Sequence, residues 1–432
     1  MFNISLENPE VKEILEEIAQ VANELSSSRC ISLEAAETCM RDLMLRSGQK
    51  LLEVCVSEAA SQQSAAPVEC PQCEQACRPI QKRGVTIATL CGRIRAQRWV
   101  YKCVSGHYHR PWDRRQKLKG KYTYRVAERM CYLAAHFDYR AAAKELSFQG
   151  IEVSHTTLHQ KVREWLSELH ASEQVEPQKL VAHQRWYVGC DGCYTNSPDG
   201  WKEVKVGCVY RDYPQLGSGA TPSARTESIR YVAGRENAEQ FGKKLFALAT
   251  QSGIYRDDID TQDVVFIGDG AAWIWNLADE YFPNAIEIVD YMHAKSHLYE
   301  VAKQAFGEHQ TTTIEKWVEA TDFFLYEGNT AELVLRIRGL GIENPDVVNI
   351  LDREAGYFEK HAERMQYKMF REKGYQIGSG VIESACKHVV GQRCKQAAMR
   401  WQEKGINPVL SARCLIKNGA WDRYWNELKQ AA

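Results

Sequence analysis

Two sets of residues in this chain of 432 have types and spacings that chemistry can use. The first is Cys70-Pro-Gln-Cys73, followed thirty residues later by Cys103-Val-Ser-Gly-His107-Tyr-His109. A CxxC turn presents two thiolates to one side of a metal ion, and a second knuckle closes the tetrahedron with soft sulfur and nitrogen ligands. The expected ligands of a structural zinc ion are Cys70, Cys73, Cys103 and His107, with His109 competing for the fourth place. The second set is Asp191, Asp269 and Glu383. Two aspartates at the ends of neighbouring strands and a glutamate from a facing helix make an oxygen cage suited to Mg²⁺. Two such ions about 3.5 to 4 Å apart activate a nucleophile and stabilise the leaving oxygen of an in-line phosphoryl displacement.

The elements that must position these carboxylates follow from periodicity. Three β-rich runs, Arg185 to Cys190, Glu203 to Tyr210 and Ser228 to Ala233, have strand length and β-branched or aromatic content. A helical segment from Asn237 to Thr250 comes next, then the apolar strand Val264 to Gly268, a helix around Ile274 to Tyr281, and a strand from Ala285 to Val289. In this βββαβαβ order Asp191 ends the first strand and Asp269 the fourth. From Ala294 to Lys373 the chain is helical and polar, until Tyr375-Gln-Ile-Gly-Ser-Gly380 leads into a helix from Val381 to about Lys395. Glu383 sits one turn into that helix. Asp290, His293 and His297 have the spacing of a capped helix start or of a zinc site.

The N-terminal half is organised differently. Residues 9 to 52 show two helical stripes, one through Val11, Ile14, Leu15, Ile18, Val21 and Leu25, the other from Leu33 to Leu52. Ser57 to Pro67 has linker composition. Val85 to Tyr101 alternates apolar and basic residues, including Arg93, Arg95 and Arg98, as a hairpin with one polar face does. Asp138 to Leu146, then Gln149-Gly150, then Ser154 and the run to Trp165 give a helix, a glycine turn and a Ser-capped helix. In a helix-turn-helix of this pattern the second helix offers His155, Thr156, His159 and Gln160 to the major groove.

Charge points the same way. The net charge of −1 hides 12 acidic against 5 basic residues over Met1 to Glu69, and 15 Lys and Arg against Asp113 and Glu128 alone over Arg78 to Arg129. A second basic stretch, Arg364 to Lys404, has 9 Lys and Arg against 3 acidic residues. It includes Lys387 and Arg393 on the Glu383 helix, a face suited to backbone phosphates. A composition of 44% hydrophobic and 26% charged residues excludes a mainly disordered or collagenous chain. No apolar run approaches the roughly 18 residues of a membrane span, and Met1 to Gln20 is rich in Glu, so a cytoplasmic protein without signal peptide is expected. The 15 cysteines then imply reduced thiols, some of them ligands, rather than a disulfide framework.

Several blocks together carry a family resemblance. Val265-Phe-Ile-Gly-Asp269-Gly-Ala-Ala-Trp-Ile-Trp-Asn276, Val289-Asp290-Tyr-Met-His293, Gly378-Ser-Gly-Val-Ile-Glu383-Ser-Ala-Cys-Lys-His388 and Met399-Arg-Trp401 resemble bacterial insertion-sequence DDE transposases. The nearest group is ISKra, within the Mutator-like superfamily. The resemblance implies a ribonuclease-H-like core in which Asp191, Asp269 and Glu383 hold two Mg²⁺ or Mn²⁺ ions, with a helical insertion between the second Asp and the Glu. It also puts the Asp-x-x-His element beside the metals, where His293 contacts the scissile phosphate or orients a ligand. The expected whole is an α+β multidomain chain with a mixed-sheet core. Its segments are acidic helices (1–65), a basic zinc ribbon (66–115), a helix-turn-helix region (116–178), the strand-bearing stretch of the catalytic core (179–297), the helical insertion (298–372), and the Glu383 stretch of the core with C-terminal helices (373–432). Such a protein binds the terminal inverted repeats of its element in double-stranded DNA, cleaves there, and joins the freed 3′-OH to target DNA. It acts as a homodimer or larger assembly associated with the nucleoid. The alternative is a transposase-derived, sequence-specific DNA-binding protein that no longer cleaves.

Overall fold

The structure, a computed structural model, describes residues 7–27, 32–62, 65–167, 169, 174, 176, 185–213, 225–255 and 263–431. The chain divides into two compact units, Met1–Trp165 with Asp422–Ala432, and Leu166–Trp421. The last eleven residues, grouped by sequence with the Glu383 stretch of the core, therefore belong to the first unit. Among the described residues no helix is long and apolar enough to cross a membrane.

In the first unit the two apolar stripes form helices α1 (Pro9–Ser27) and α2 (Leu33–Ser61), and the Ser32 side chain caps α2 by accepting the Ala35 amide. Helix α2 runs well into the stretch that composition assigns to a linker. Burial explains this, because Val56 and Ala60 are covered. The strands are β1 (Val68–Glu69), β2 (Ala76–Thr89), β3 (Gly92–Cys103) and β4 (Tyr108–His109); then come helix α3 (Pro111–Arg115), β5 (Leu118–Lys119) and β6 (Tyr122–Thr123). They pair in the order β4-β3-β2-β6-β5, with β1 on β2. Alternation along the long β2–β3 hairpin turns Val85, Ile87, Ile94 and Ala96 inward, where they pack with Val56 and Trp112, while Arg93 and Arg95 face out. Each large apolar side chain so buried stabilises the unit by about 1.5–3 kcal/mol. Helices α4 (Tyr124–His136), α5 (Tyr139–Phe148) and α6 (His155–Leu166) follow. Asp138 caps α5, and Gly150, at φ +77°, makes the turn before α6.

The second unit is built on β7 (Arg185–Ser197), β8 (Gly200–Tyr213), β9 (Arg225–Gly234), β10 (Asp263–Gly268) and β11 (Ile286–Val289). The sheet order is β11-β10-β7-β8-β9. β7, β8 and β9 are antiparallel neighbours, whereas β10 is parallel to both β7 and β11. Helices α7 (Ala238–Ser252) and α8 (Ala272–Tyr281) cover one face: a Cβ at Gly207 would lie 2.8 Å from Leu245, and one at Gly268 2.5 Å from Ile274. A helical segment follows β11, with α9 (Tyr291–Phe306), α10 (Thr311–Tyr326), α11 (Thr330–Arg338), α12 (Pro345–Lys360) and α13 (Tyr367–Glu372). The chain then returns to the other face of the sheet in α14 (Gly380–Ala385), which runs into a π-helical turn (Cys386–Gly391), α15 (Gln392–Cys394) and α16 (Glu403–Lys417). Helix α17 (Trp421–Ala431) buries Trp425, and Lys429 Nζ meets Glu128 Oε2 at 2.7 Å within the first unit.

Candidate functional site

The base of the β2–β3 hairpin gathers the first set of ligands. Cys77 stands opposite Cys103 in the register, and the Cys103 amide donates to His107 O at 3.1 Å, closing the second knuckle. Cys73 Sγ and Cys103 Sγ are 3.7 Å apart, and His107 Nδ1 lies 3.7 Å from Cys70 Sγ and 3.5 Å from Cys103 Sγ. All four ligand atoms lie within 4.8 Å of one another. A tetrahedron with Zn–S of about 2.3 Å and Zn–N of about 2.0–2.1 Å has S···S edges of about 3.8 Å and S···N edges of about 3.6 Å. The group has the dimensions to hold a metal ion of that kind. Hydrogen bonding, chiefly from the Gln72 backbone, pulls the Cys70 thiol down to about 6, whereas burial pushes the neighbouring Cys77 up to about 11. His109 lies on β4 outside the group, its imidazole lowered by burial.

The aspartates of the second unit stand side by side. Ile267 of β10 pairs with Gly189 of β7, and two residues further along each chain come Asp269 and Asp191. Both follow the last rung of that parallel ladder, near enough for the charge of Asp269 to act on Asp191. Asp191 lies within β7 rather than at its end, because the β7–β8 ribbon continues to Ser197 while β10 stops at Gly268. Burial and then the charge of Asp269 raise the Asp191 carboxyl, whose Oδ1 accepts the Gly192 amide at 2.6 Å. Cys386 Sγ lies 3.6 Å from its Oδ2. Asp269 Oδ1 accepts the Ala271 amide at 2.9 Å across Gly270, whose φ is +98° and whose added Cβ would meet Tyr357 at 2.7 Å.

Glu383 is on α14, against the same face, since a Cβ at Gly189 would lie 3.6 Å from Ile382 Cβ. Its side chain turns outward. Glu383 Oε1 takes Lys387 Nζ at 2.6 Å and is 66% exposed. Among the described residues, Asp191, Asp269 and Glu383 do not form a set of ligand atoms within 4.8 Å, as the Cys–His group does. The pair that holds Glu383 away is an exposed i,i+4 ion pair of about 0.3–0.5 kcal/mol, so turning the carboxylate inward costs little.

The Asp290 element is a helix cap and a strap. Asp290 is buried, its Oδ1 accepts the His293 amide at 2.5 Å, and its Oδ2 accepts the Ser379 amide. Its own amide donates to Gly268 O at 2.8 Å. The cap thereby joins the end of β10 to the Gly-Ser-Gly hinge before α14. His293 Nε2 is 3.3 Å from His297 Nε2, and His297 Nδ1 is 2.5 Å from Glu354 Oε2. The His297 ring stacks on Tyr357 at 3.8 Å, and Tyr357 Oη donates to Asp269 O at 3.2 Å. Burial alone would raise the Glu354 carboxyl, yet hydrogen bonds from His297 and Arg353 hold it below the usual range. His361, also buried, is pushed down to about 4 by burial while it hydrogen-bonds the Gly270 backbone. Glu354, Tyr357 and His361 escape sequence reading: they come from the far end of the helical segment, and only three-dimensional folding brings them to Asp269.

The residues expected to touch DNA divide into free and occupied. Arg95 is exposed, and Arg93 is exposed with Nη2 donating to Glu152 O at 2.6 Å. Arg98 is ion-paired with Asp113 and only 12% exposed. On α6, His155, Thr156 and Gln160 face solvent, whereas His159 packs edge-on against Tyr139 at 4.9 Å. Lys387 is exposed beside Glu383. Arg393 corrects the expectation of a basic surface: it is fully buried, stacked on Trp401 at 5.0 Å. Comparison with protein-family models finds no match, and comparison with characterised proteins finds none either.

Proposed function

We propose that the chain is a metal-dependent DDE transposase whose second unit is a ribonuclease-H-like catalytic core. The observation that carries this reading is the pair Asp191 and Asp269, each two residues beyond the last rung of the parallel β7–β10 ladder, with the Glu383 helix packed beside them. The sheet order β11-β10-β7-β8-β9, with three antiparallel strands followed by two parallel ones, is the order that such a core requires. The donor set is all carboxylate oxygen, and the Asp191 carboxyl is raised by burial and then by the charge of Asp269, a repulsion that a cation would relieve. Mg²⁺ held by Asp191, Asp269 and an inward-turned Glu383 supplies Lewis acidity and an activated nucleophile when bound. The chain's own residues do the rest: the Gly192 and Ala271 amides orient the two aspartates, Asp290 anchors the hinge of α14, and His293 faces the phosphate. The first unit binds the element ends through a zinc ribbon and a helix-turn-helix. Phosphate contacts from Arg93 and Arg95 set position, and base-edge contacts from His155, Thr156 and Gln160 supply sequence preference. Pairing of two ends calls for a homodimer or larger assembly.

The test is strand cleavage of a labelled duplex carrying the element's end, with Mg²⁺, comparing the unmodified chain with Asp269→Asn and Glu383→Gln. Cleavage lost in both variants while end binding persists is the expected result. Specific binding with no cleavage under any divalent metal would replace this reading with a DNA-binding protein that no longer cuts.

A further inference from the structure

The helical segment between β11 and α14 sends back to the aspartates a chain of contacts that the proposed reaction does not yet use. Glu354 is a buried carboxylate on α12, within 2.5 Å of His297 Nδ1. It also accepts Arg353 Nη2 at 2.8 Å, so its charge is held in place from both sides. His297 presents its other nitrogen to His293 Nε2 at 3.3 Å, and its ring is clamped flat on Tyr357, with ring planes 19° apart. An imidazole that donates from one nitrogen to a fixed carboxylate has its tautomer and its plane set by that bond. The ring next to it inherits the setting, because the two facing Nε2 atoms can share only one proton. Tyr357 closes the circuit by donating to the carbonyl of Asp269.

We propose that Glu354 and His297 are positioning residues: together they fix the tautomer and ring plane of His293 beside Asp191 and Asp269, and so make the helical segment a working piece of the catalytic apparatus. This rests on the transposase reading only for the reaction served. The ring geometry stands or falls by itself.

Glu354→Gln removes the charge and keeps the shape, and Glu354→Asp restores the charge. In full-length protein purified with zinc and kept free of Mg²⁺ and Mn²⁺, with ¹⁵N-labelled histidine, the His293 ring signals are identified by their disappearance in His293→Gln. The expected result is a changed tautomer balance at His293 in Glu354→Gln and a return toward the native pattern in Glu354→Asp. End cleavage by Glu354→Gln should fall about 10- to 100-fold in kcat with DNA affinity unchanged, as for residues that orient a metal-site ligand. His293 ring signals unmoved by Glu354→Gln would overturn the proposal, and so would equal losses in the Gln and Asp variants. If the unmodified chain does not cleave but the ring signals respond as stated, the positioning stands and the transposase reading falls.

Discussion

A zinc ion held by the Cys–His group should fasten the hairpin base alone, so that its removal opens that base and leaves the rest of the hairpin in place. Cys70, Cys77, Tyr101 and Cys103 form a small cluster with Val68, Cys73 and Trp99 packed on it, and three of its sulfurs are expected zinc ligands. The other end of the same hairpin is held separately, by Val85, Ile87, Ile94 and Ala96 against Val56 and Trp112. Structural zinc contributes about 10–16 kcal/mol of apparent binding energy in small modules, comparable to the whole stability of a domain. At a free zinc concentration about a thousand times Kd, the bound ion adds about 4 kcal/mol against local opening. That is a factor of about 10³ in the opening equilibrium. Cys103→Ser should therefore lower zinc from about one ion per chain to none by elemental mass spectrometry. It should also speed hydrogen exchange at the Cys70 and Cys103 amides, now bonded to Gln75 O and His107 O, by about 10³. Amides in the Ile87–Ile94 pairing should keep their protection. A native-like chain purified without zinc, or acceleration spread evenly along the hairpin, would refute the reasoning.

Two further outcomes follow, one from a buried histidine and one from a pair of exposed arginines. His361 has its folded pKa depressed to about 4, against about 6.5 when unfolded. Both forms are neutral at pH 7; as the pH falls through 6.5 the unfolded chain takes up a proton that the folded one refuses, so stability is lost down to about pH 4. This group alone removes about 2–3 kcal/mol by pH 4.5. His361→Phe should lose correspondingly less between pH 7 and 4.5 in thermal melts, and equal losses would remove the assignment. Arg93→Ala with Arg95→Ala should weaken binding of unrelated duplexes as much as element ends, and reduce the log–log salt slope by roughly 2. An unchanged slope in a salt titration would mean that the hairpin face does not meet phosphate.

Much of the fold was legible because its signals are local. The strands of the second unit are short β-branched runs, and the cysteine knuckles are fixed by covalent spacing whatever surrounds them. The extent of β7 was not, although Pro198-Asp199-Gly200 is a turn signal: it marks the tip of a ribbon that carries the strand past Asp191. Side-chain roles set by distant partners were also hidden. Arg98 counts as one more basic residue until Asp113 takes it, and Arg393 until Trp401 covers it. The same limit hid Glu354 and His361, whose importance comes from the buried surroundings that α12 gives them and not from any pattern along the chain.

The return of Asp422–Ala432 to the first unit sets an order on biosynthesis. Trp425 lies within 5.6 Å of the Lys119 ammonium, near the rings of Tyr124 and Trp165, yet it is translated only after all of Leu166–Trp421. At about 5–20 residues per second, the nascent first unit waits roughly 10 to 50 s for its closing helix. During that interval its apolar seam is open on the ribosome, while the second unit already has every strand it needs. Shortening the chain just before Trp425 should therefore injure the first unit and leave the second, carboxylate-bearing unit able to fold.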